Sequence, residues 1–264
     1  MENLIYLDNA ATSYPKPEEV YTFMDSFYRD FGVNPGRSGY DLCMETGALV
    51  DQSRKMLADF FNGNDSNRLC FSYNSTDALN LAIFGMLKQG DHAITTTLEH
   101  NSVLRPLYHL SKLNGVEVDY IPFDTNGFVD PDDFKRKIKA NTRLVIINHA
   151  SNVIGTVQPV EAIGRICREC GVALALDASQ SAGTKCRLTL SNRTSISLRL
   201  RAINRCWGRP ASAAFMSERE SIFGIPARAE QASDLLSVCT WTNILTGLNT
   251  VQAMSWASPD CMPA

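Results

Sequence analysis

This chain has no apolar run long enough to cross a bilayer, no G-x-G-x-x-G fingerprint and no G-x-x-x-x-G-K-[ST] loop. The first absence argues against a helical membrane span, and the other two leave the dinucleotide and P-loop readings without support. An excess of either charge is lacking too. The formal net charge is −3 over 264 residues with no basic stripe, so no nucleic-acid partner is expected. Met1-Glu-Asn lacks a charged n-region leading into an apolar segment, so no secretion signal is expected. Eight cysteines without such a signal are expected to be free thiols in a reducing cytoplasm. Cys167-Arg-Glu-Cys170 has redox or zinc spacing, yet no second pair or histidine stands at ligand spacing, and it reads as a helix-end pair. Basic residues are also unevenly spread. All eight lysines lie at or before Lys185, and all four histidines at or before His149.

What is present is a core-forming chain, 44% hydrophobic, with a regular rhythm as far as about Thr184. Apolar residues recur at helical spacing over 18–28 and 45–61, and 68–72 reads as a short strand. Thr76 to Leu87 reads as a helix entered through Asn74-Ser75-Thr76. Strands are expected over 92–97, 116–121, 143–148 and 172–176, with helices near 103–113, 131–138 and 159–170. Such alternation predicts an α/β fold, a mostly parallel sheet with helices on both faces. Ligands of such sheets gather at the carboxyl ends of the strands.

That rule collects polar residues at one rim. Tyr73-Asn-Ser75-Thr76-Asp77 follows the first strand, Leu98-Glu99-His100 the second, Asn148-His-Ala-Ser-Asn152 the fourth and Asp177-Ala-Ser-Gln180 the fifth. Hydroxyls and helix-start amides suit a phosphate, and an imidazole, an Asn and a carboxylate stand beside them. These are the parts of a site for pyridoxal 5'-phosphate (PLP), where an acid must face the pyridinium nitrogen for the ring to act as an electron sink. Taken singly, each has a plainer role. Asp177 could cap a helix, His100 could be a loop histidine, Thr76 an N-cap, and Asn152 before Gly155 a turn residue.

From Ile5 to Thr184 the chain resembles the class V aminotransferase family of PLP-dependent enzymes, in its cysteine desulfurase and selenocysteine lyase branch. The carriers are Tyr6-Leu-Asp-Asn-Ala-Ala-Thr12, Asn34-Pro-Gly-Arg-Ser38, Ser75-Thr-Asp-Ala-Leu-Asn80, Glu99-His-Asn-Ser102, Asn148-His-Ala-Ser-Asn152-Val-Ile-Gly-Thr156 and Asp177-Ala-Ser-Gln180-Ser. The resemblance implies the large domain of a type I PLP-dependent transferase. It implies that Ser75 and Thr76 hold the phosphate, that His100 stacks on the ring, that Asn152 and Gln180 approach its phenolic oxygen and substrate side, and that Asp177 pairs with the ring nitrogen. It further implies a cysteine-like amino acid substrate, with L-cysteine yielding L-alanine and enzyme-bound persulfide sulfur, and a homodimer. The sulfur acceptor is not named by it. Selenocysteine lyase, another class V enzyme and a non-catalytic cofactor-binding remnant stand as alternatives.

The family also needs an aldimine lysine, in a Gly-His-Lys-type motif two strands after the Asp, and a later cysteine nucleophile. Neither motif is present. From Cys186 the chain instead carries eight arginines and ten serines without strand–helix rhythm. Reverse translation of Ala202 to Phe215 one base earlier permits Gly-His-Lys-Ser-Met-Leu-Gly-Pro-Ala-Gly-Ile-Gly-Gly-Phe, which looks like the family's lysine loop and next strand. The lysine would straddle the codons of Ile203 and Asn204. Arg228 to Ala232 likewise permits Gly-Gly-Thr-Gly, and the codons after Lys185 permit Val-Pro-Leu-Asp-Ile-Glu. The expectation is a frameshift in an A-rich run at Lys185. Residues 1–185 would then hold the N-terminal segment and most of a truncated cofactor domain, and residues 186–264 an out-of-frame tail. Cys186, Cys206, Cys239 and Cys261 would be accidents of reading frame. A fold that loses its later strands is expected to leave a sheet edge and apolar surface uncovered.

Overall fold

The computed structural model describes residues 4–36, 39–61, 63 and 65–182, with the backbone of two short strands at 201–202 and 213–216. The chain opens with an extended segment and two helices, α1 (Glu18–Asp30) and α2 (Asp41–Phe60). Glu18 and Glu19 in the first turn of α1 face the positive end of its dipole. The helix stops at Gly32, whose φ is +51° and where a Cβ would lie 2.8 Å from the Tyr28 carbonyl oxygen, so glycine alone closes this turn.

The rest alternates strand and helix: β1 (Leu69–Ser72), α3 (Ser75–Met86), β2 (His92–Thr96), α4 (Asn101–Leu113), β3 (Glu117–Ile121), α5 (Pro131–Lys137), β4 (Thr142–Asn148), α6 (Val160–Glu169) and β5 (Ala173–Asp177). Helix α5 shows how little sequence such an element needs. Asp130 caps it through the Asp132 amide, Pro131 presets its first turn, and Lys135, Arg136 and Lys137 crowd its last.

Strands β2 to β5, joined by β6 (Arg201–Ala202), form a parallel sheet in the order β3-β2-β4-β5-β6. Alternate strand residues feed two cores. Ala93, Leu144, Ile146 and Ala175 pack under α3 and α4, while Ile94, Val145, Ile147, Leu174 and Leu176 pack with Phe134 of α5 and Ile163 and Cys167 of α6. The expected sheet with helices on both faces is therefore present. The register sets Asn148 beside Asp177, and Asp177 beside Ala202. Side chains ending these strands thus meet at one rim.

Three expectations need correction. β1 is not a member of the parallel sheet; it pairs antiparallel with β7 (Ala213–Met216), Leu69 opposite Met216, in a two-stranded sheet. Strands β6 and β7 themselves fall in a tail read as having no such rhythm. Thr76 is not the cap of α3, because Asn74 is extended and its Oδ1 already takes the Asp77 amide at 2.8 Å. Cys167 and Cys170 do sit at the end of α6, free and with burial pushing the Cys167 thiol up to about 12. No metal-holding cluster occurs among the described residues, and no described helix is long and apolar enough to cross a membrane.

Burial is uneven at the margins. β6 covers only Leu176 and Asp177 of the β5 edge, and Ile5 and Leu7 in the opening segment are 81% and 89% exposed. Lys185 and the tail cysteines lie outside the described residues.

Candidate functional site

A cavity of about 400 Å³ opens at the carboxyl end of the parallel sheet. Its lining includes all six residues singled out above: Ser75, Thr76, His100, Asn152, Asp177 and Gln180. Each arrives on the end of an element. Ser75 and Thr76 form the first turn of α3, whose leading amides and dipole favour an anion. The Ser75 hydroxyl is buried and has no hydrogen-bond partner among the described residues. A buried orphan hydroxyl at a helix start is what a phosphate oxygen would satisfy.

His100 caps α4. Its Nδ1 accepts the Ser102 amide at 3.1 Å and lies 2.6 Å from Ser102 Oγ. An acceptor at Nδ1 leaves the hydrogen of a neutral ring on Nε2, and fixes the ring plane over the turn. Asn152 is exposed in a tight turn organised by Ser151, whose Oγ takes the amides of Val153 and Ile154 at 3.2 and 3.3 Å. Its turn role and its place in the cavity wall coexist.

Asp177 ends β5 and is buried. Its Oδ1 accepts both the amide of Ser179, at 2.9 Å, and its hydroxyl, at 2.5 Å. Burial nonetheless raises its carboxyl above the ordinary range, against the Ser179 bonds and the nearby His100, which lower it. No lysine or arginine acts on this acid among the described residues. A buried acid held in one orientation without a counter-cation is suited to a cationic N–H brought by a ligand. Gln180 turns its Nε2 to the Ala10 carbonyl at 2.9 Å and so ties the opening segment across the cavity.

The sequence reading missed three contributions. Asp8, Ala10 and Ala11 line the cavity from the far end of the chain, and only the Tyr6-to-Thr12 motif hinted at them. Ser179 holds Asp177, and Glu99 is buried behind the wall. The donor set fits PLP: a helix-start hydroxyl pair for phosphate, an imidazole for the ring face and a buried acid for the ring nitrogen. No described lysine lines the cavity.

The sequence profile described as "Aminotransferase class-V" matches residues 5–187. The chain belongs to the class V aminotransferase family. Among curated relatives, "Cysteine desulfurase IscS" of Dictyoglomus turgidum is 37% identical over 187 residues, covering 69% of this chain and 46% of that protein. A "Probable cysteine desulfurase" of Pyrococcus abyssi is 36% identical over 186 residues, covering 69% of this chain and 45% of that protein. The solved apo structure of a cysteine desulfurase from Thermococcus onnurineus superposes with a TM-score of 0.74 at 30% identity, covering 82% of this chain and 54% of that one. This class V chain spans about half the length of the relatives it matches. The structural likeness also covers more of the chain than the sequence likeness does, 82% against 69%.

Proposed function

We propose that residues 4–182 form the cofactor-holding part of a PLP-dependent enzyme of the cysteine desulfurase type, and that the chain as translated holds the cofactor without turning substrate over. The observation that carries this reading is the convergence of Ser75, Thr76, His100, Asn152, Asp177 and Gln180 on one cavity. Bound PLP supplies an electron sink at the ring. Ser75, Thr76 and the start of α3 would hold its phosphate, His100 its ring face, and Asp177 its ring-nitrogen hydrogen. Asn152 and Gln180 would line the side on which a cysteine-like amino acid enters. The desulfurase direction, L-cysteine to L-alanine with sulfur kept on the enzyme, follows the names of the relatives. A cytoplasmic homodimer fits the same reading.

Absence of turnover is favoured by the cavity having no lysine among its described lining residues. A single base lost at Lys185 accounts for it. In the earlier frame the lysine straddles codons 203 and 204, directly after Ala202, the residue paired with Asp177 across β5 and β6. The same frame permits Ile-Gly-Gly-Phe over 212–215, where β7 pairs with β1.

The test is an assay for alanine and sulfide from cysteine with reductant and added PLP, beside DNA sequencing across codons 184–186. No release from this chain, and an extra A in the source DNA, is the expected result. Release abolished by Asp177→Ala would overturn the claim of inactivity. An unaltered reading frame would make the tail a true product of the gene, and refute the lost base.

A further inference from the structure

Among the described residues two acids are buried, Asp177 and Glu99. Asp177 has a task in the reading above, while Glu99 has none. Glu99 Oε1 accepts the Thr96 hydroxyl at 2.7 Å and the Asn148 amide at 2.9 Å. That oxygen ties the end of β2 to the end of β4, and Asn148 Nδ2 reinforces the clamp by donating to the Leu98 carbonyl at 2.9 Å. The remaining acceptors are unsatisfied: Glu99 Oε2 and Asn148 Oδ1 are both buried without a partner among the described residues. Two buried acceptors and no donor are unfavourable, and a proton on Oε2 turns one of them into a donor. No cation among the described residues offsets a charge here. Burial pushes the Glu99 carboxyl up to about 8, against the bonds from Asn148 and Thr96, with the Asp177 charge adding to the rise.

We propose that Glu99 is a positioning residue that holds a proton beneath the site: as a neutral acid it clamps β2 to β4, steadies the turn that carries His100, and leaves Asp177 as the one buried anionic group among the described residues of the wall. The purpose assigned to that charge rests on the PLP reading; the proton is a property of this chain alone. Asp177 on β5 is the charged neighbour that acts on Glu99, while Thr96, Leu98 and Asn148 offer it only neutral groups. Above the ordinary glutamate range the unfolded chain has lost this proton and the folded chain has kept it. Stability therefore falls as pH rises toward about 8.

The experiment follows unfolding midpoints of the full chain, Glu99→Gln and Glu99→Ala from about pH 6 to about pH 9, with PLP binding by equilibrium dialysis on the same samples. Gln is the neutral isostere of the protonated acid. Glu99→Gln should flatten the alkaline loss seen in the unsubstituted chain, bind PLP within about threefold of it, and lack its infrared carboxylic-acid band. Glu99→Ala should lose the alkaline fall as well, because the titrating group is gone, but unfold at a lower midpoint and bind PLP more weakly, because the clamp is gone too. An alkaline loss that persists in Glu99→Gln, or a PLP affinity about tenfold weaker in a folded Glu99→Gln protein, would overturn the proposal. Failure of every form to bind PLP would sink the cofactor reading, and the alkaline limb would still decide where the proton is.

Discussion

At the amino end of the parallel sheet Asp119 lies among His92, Lys137 and Lys139, whereas at the carboxyl end Glu99 and Asp177 are buried with no lysine or arginine among the described residues acting on either. The amino end brings opposite charges of the chain together. Lys139 sits 3.3 Å and Lys137 3.5 Å from the Asp119 carboxylate, and the buried His92 takes Thr142 Oγ1 at 2.8 Å and lies 3.2 Å from Asp119. Burial alone would raise the Asp119 carboxyl, but the Lys139 bond and charge, with Lys137 and His92, hold it below the usual value. Among the described residues the carboxyl end leaves an orphan Ser75 hydroxyl and a buried Asp177 without a counter-cation. One end of the sheet pairs its charges within the chain, and on the proposed reading a ligand would finish the other.

That contrast can be broken at either end. Ser75→Ala with Thr76→Val should weaken PLP binding by about 10-fold or more, through lost hydrogen bonds to a charged group, and leave the unfolding midpoint unchanged. Dialysis beside thermal unfolding checks both halves. A smaller effect belongs to acid. Burial, then the charge of Lys139, lowers the His92 pKa, so folding keeps His92 neutral where the unfolded chain takes up a proton. Stability at the amino end therefore falls as pH drops below the ordinary histidine range, and the depressed Asp119 adds a further loss at lower pH. His92→Asn should shrink the first loss and leave PLP binding alone, as midpoints from about pH 7 to about pH 5 would record. Least affected should be Lys139→Ala. The side chain is solvent-exposed, so its pairs with Glu117 and Asp119 are screened, and neither midpoint nor PLP affinity should move measurably.

Much of this was legible in the sequence because the physics is local. Apolar runs such as Leu144 to Ile147 are buried whole, so strands β2, β4 and β5 announce themselves by composition. Helix ends were less so: α2 begins at Asp41, before the periodic stretch read from Glu45, with Cys43 already buried in its first turn. Asp177 and His100 were found by their place after strands. Glu99 was quoted but given no role, because its burial depends on Thr96 and Asn148 meeting it from two strands, a contact that no spacing along the chain encodes. The antiparallel pairing of β1 with β7 was hidden for a related reason. Register between segments well over a hundred residues apart leaves no trace in either one.

The account turns on Asp177 serving a ligand rather than the fold. Asp177→Asn is the measurement that separates the two, read by PLP dialysis and thermal unfolding on the same protein. Loss of a charge-assisted bond should lower PLP affinity by about 10- to 100-fold, while removal of an uncompensated buried charge leaves the midpoint equal or higher. Unchanged PLP affinity together with a lower midpoint would show that the acid belongs to the fold, and would contradict the account.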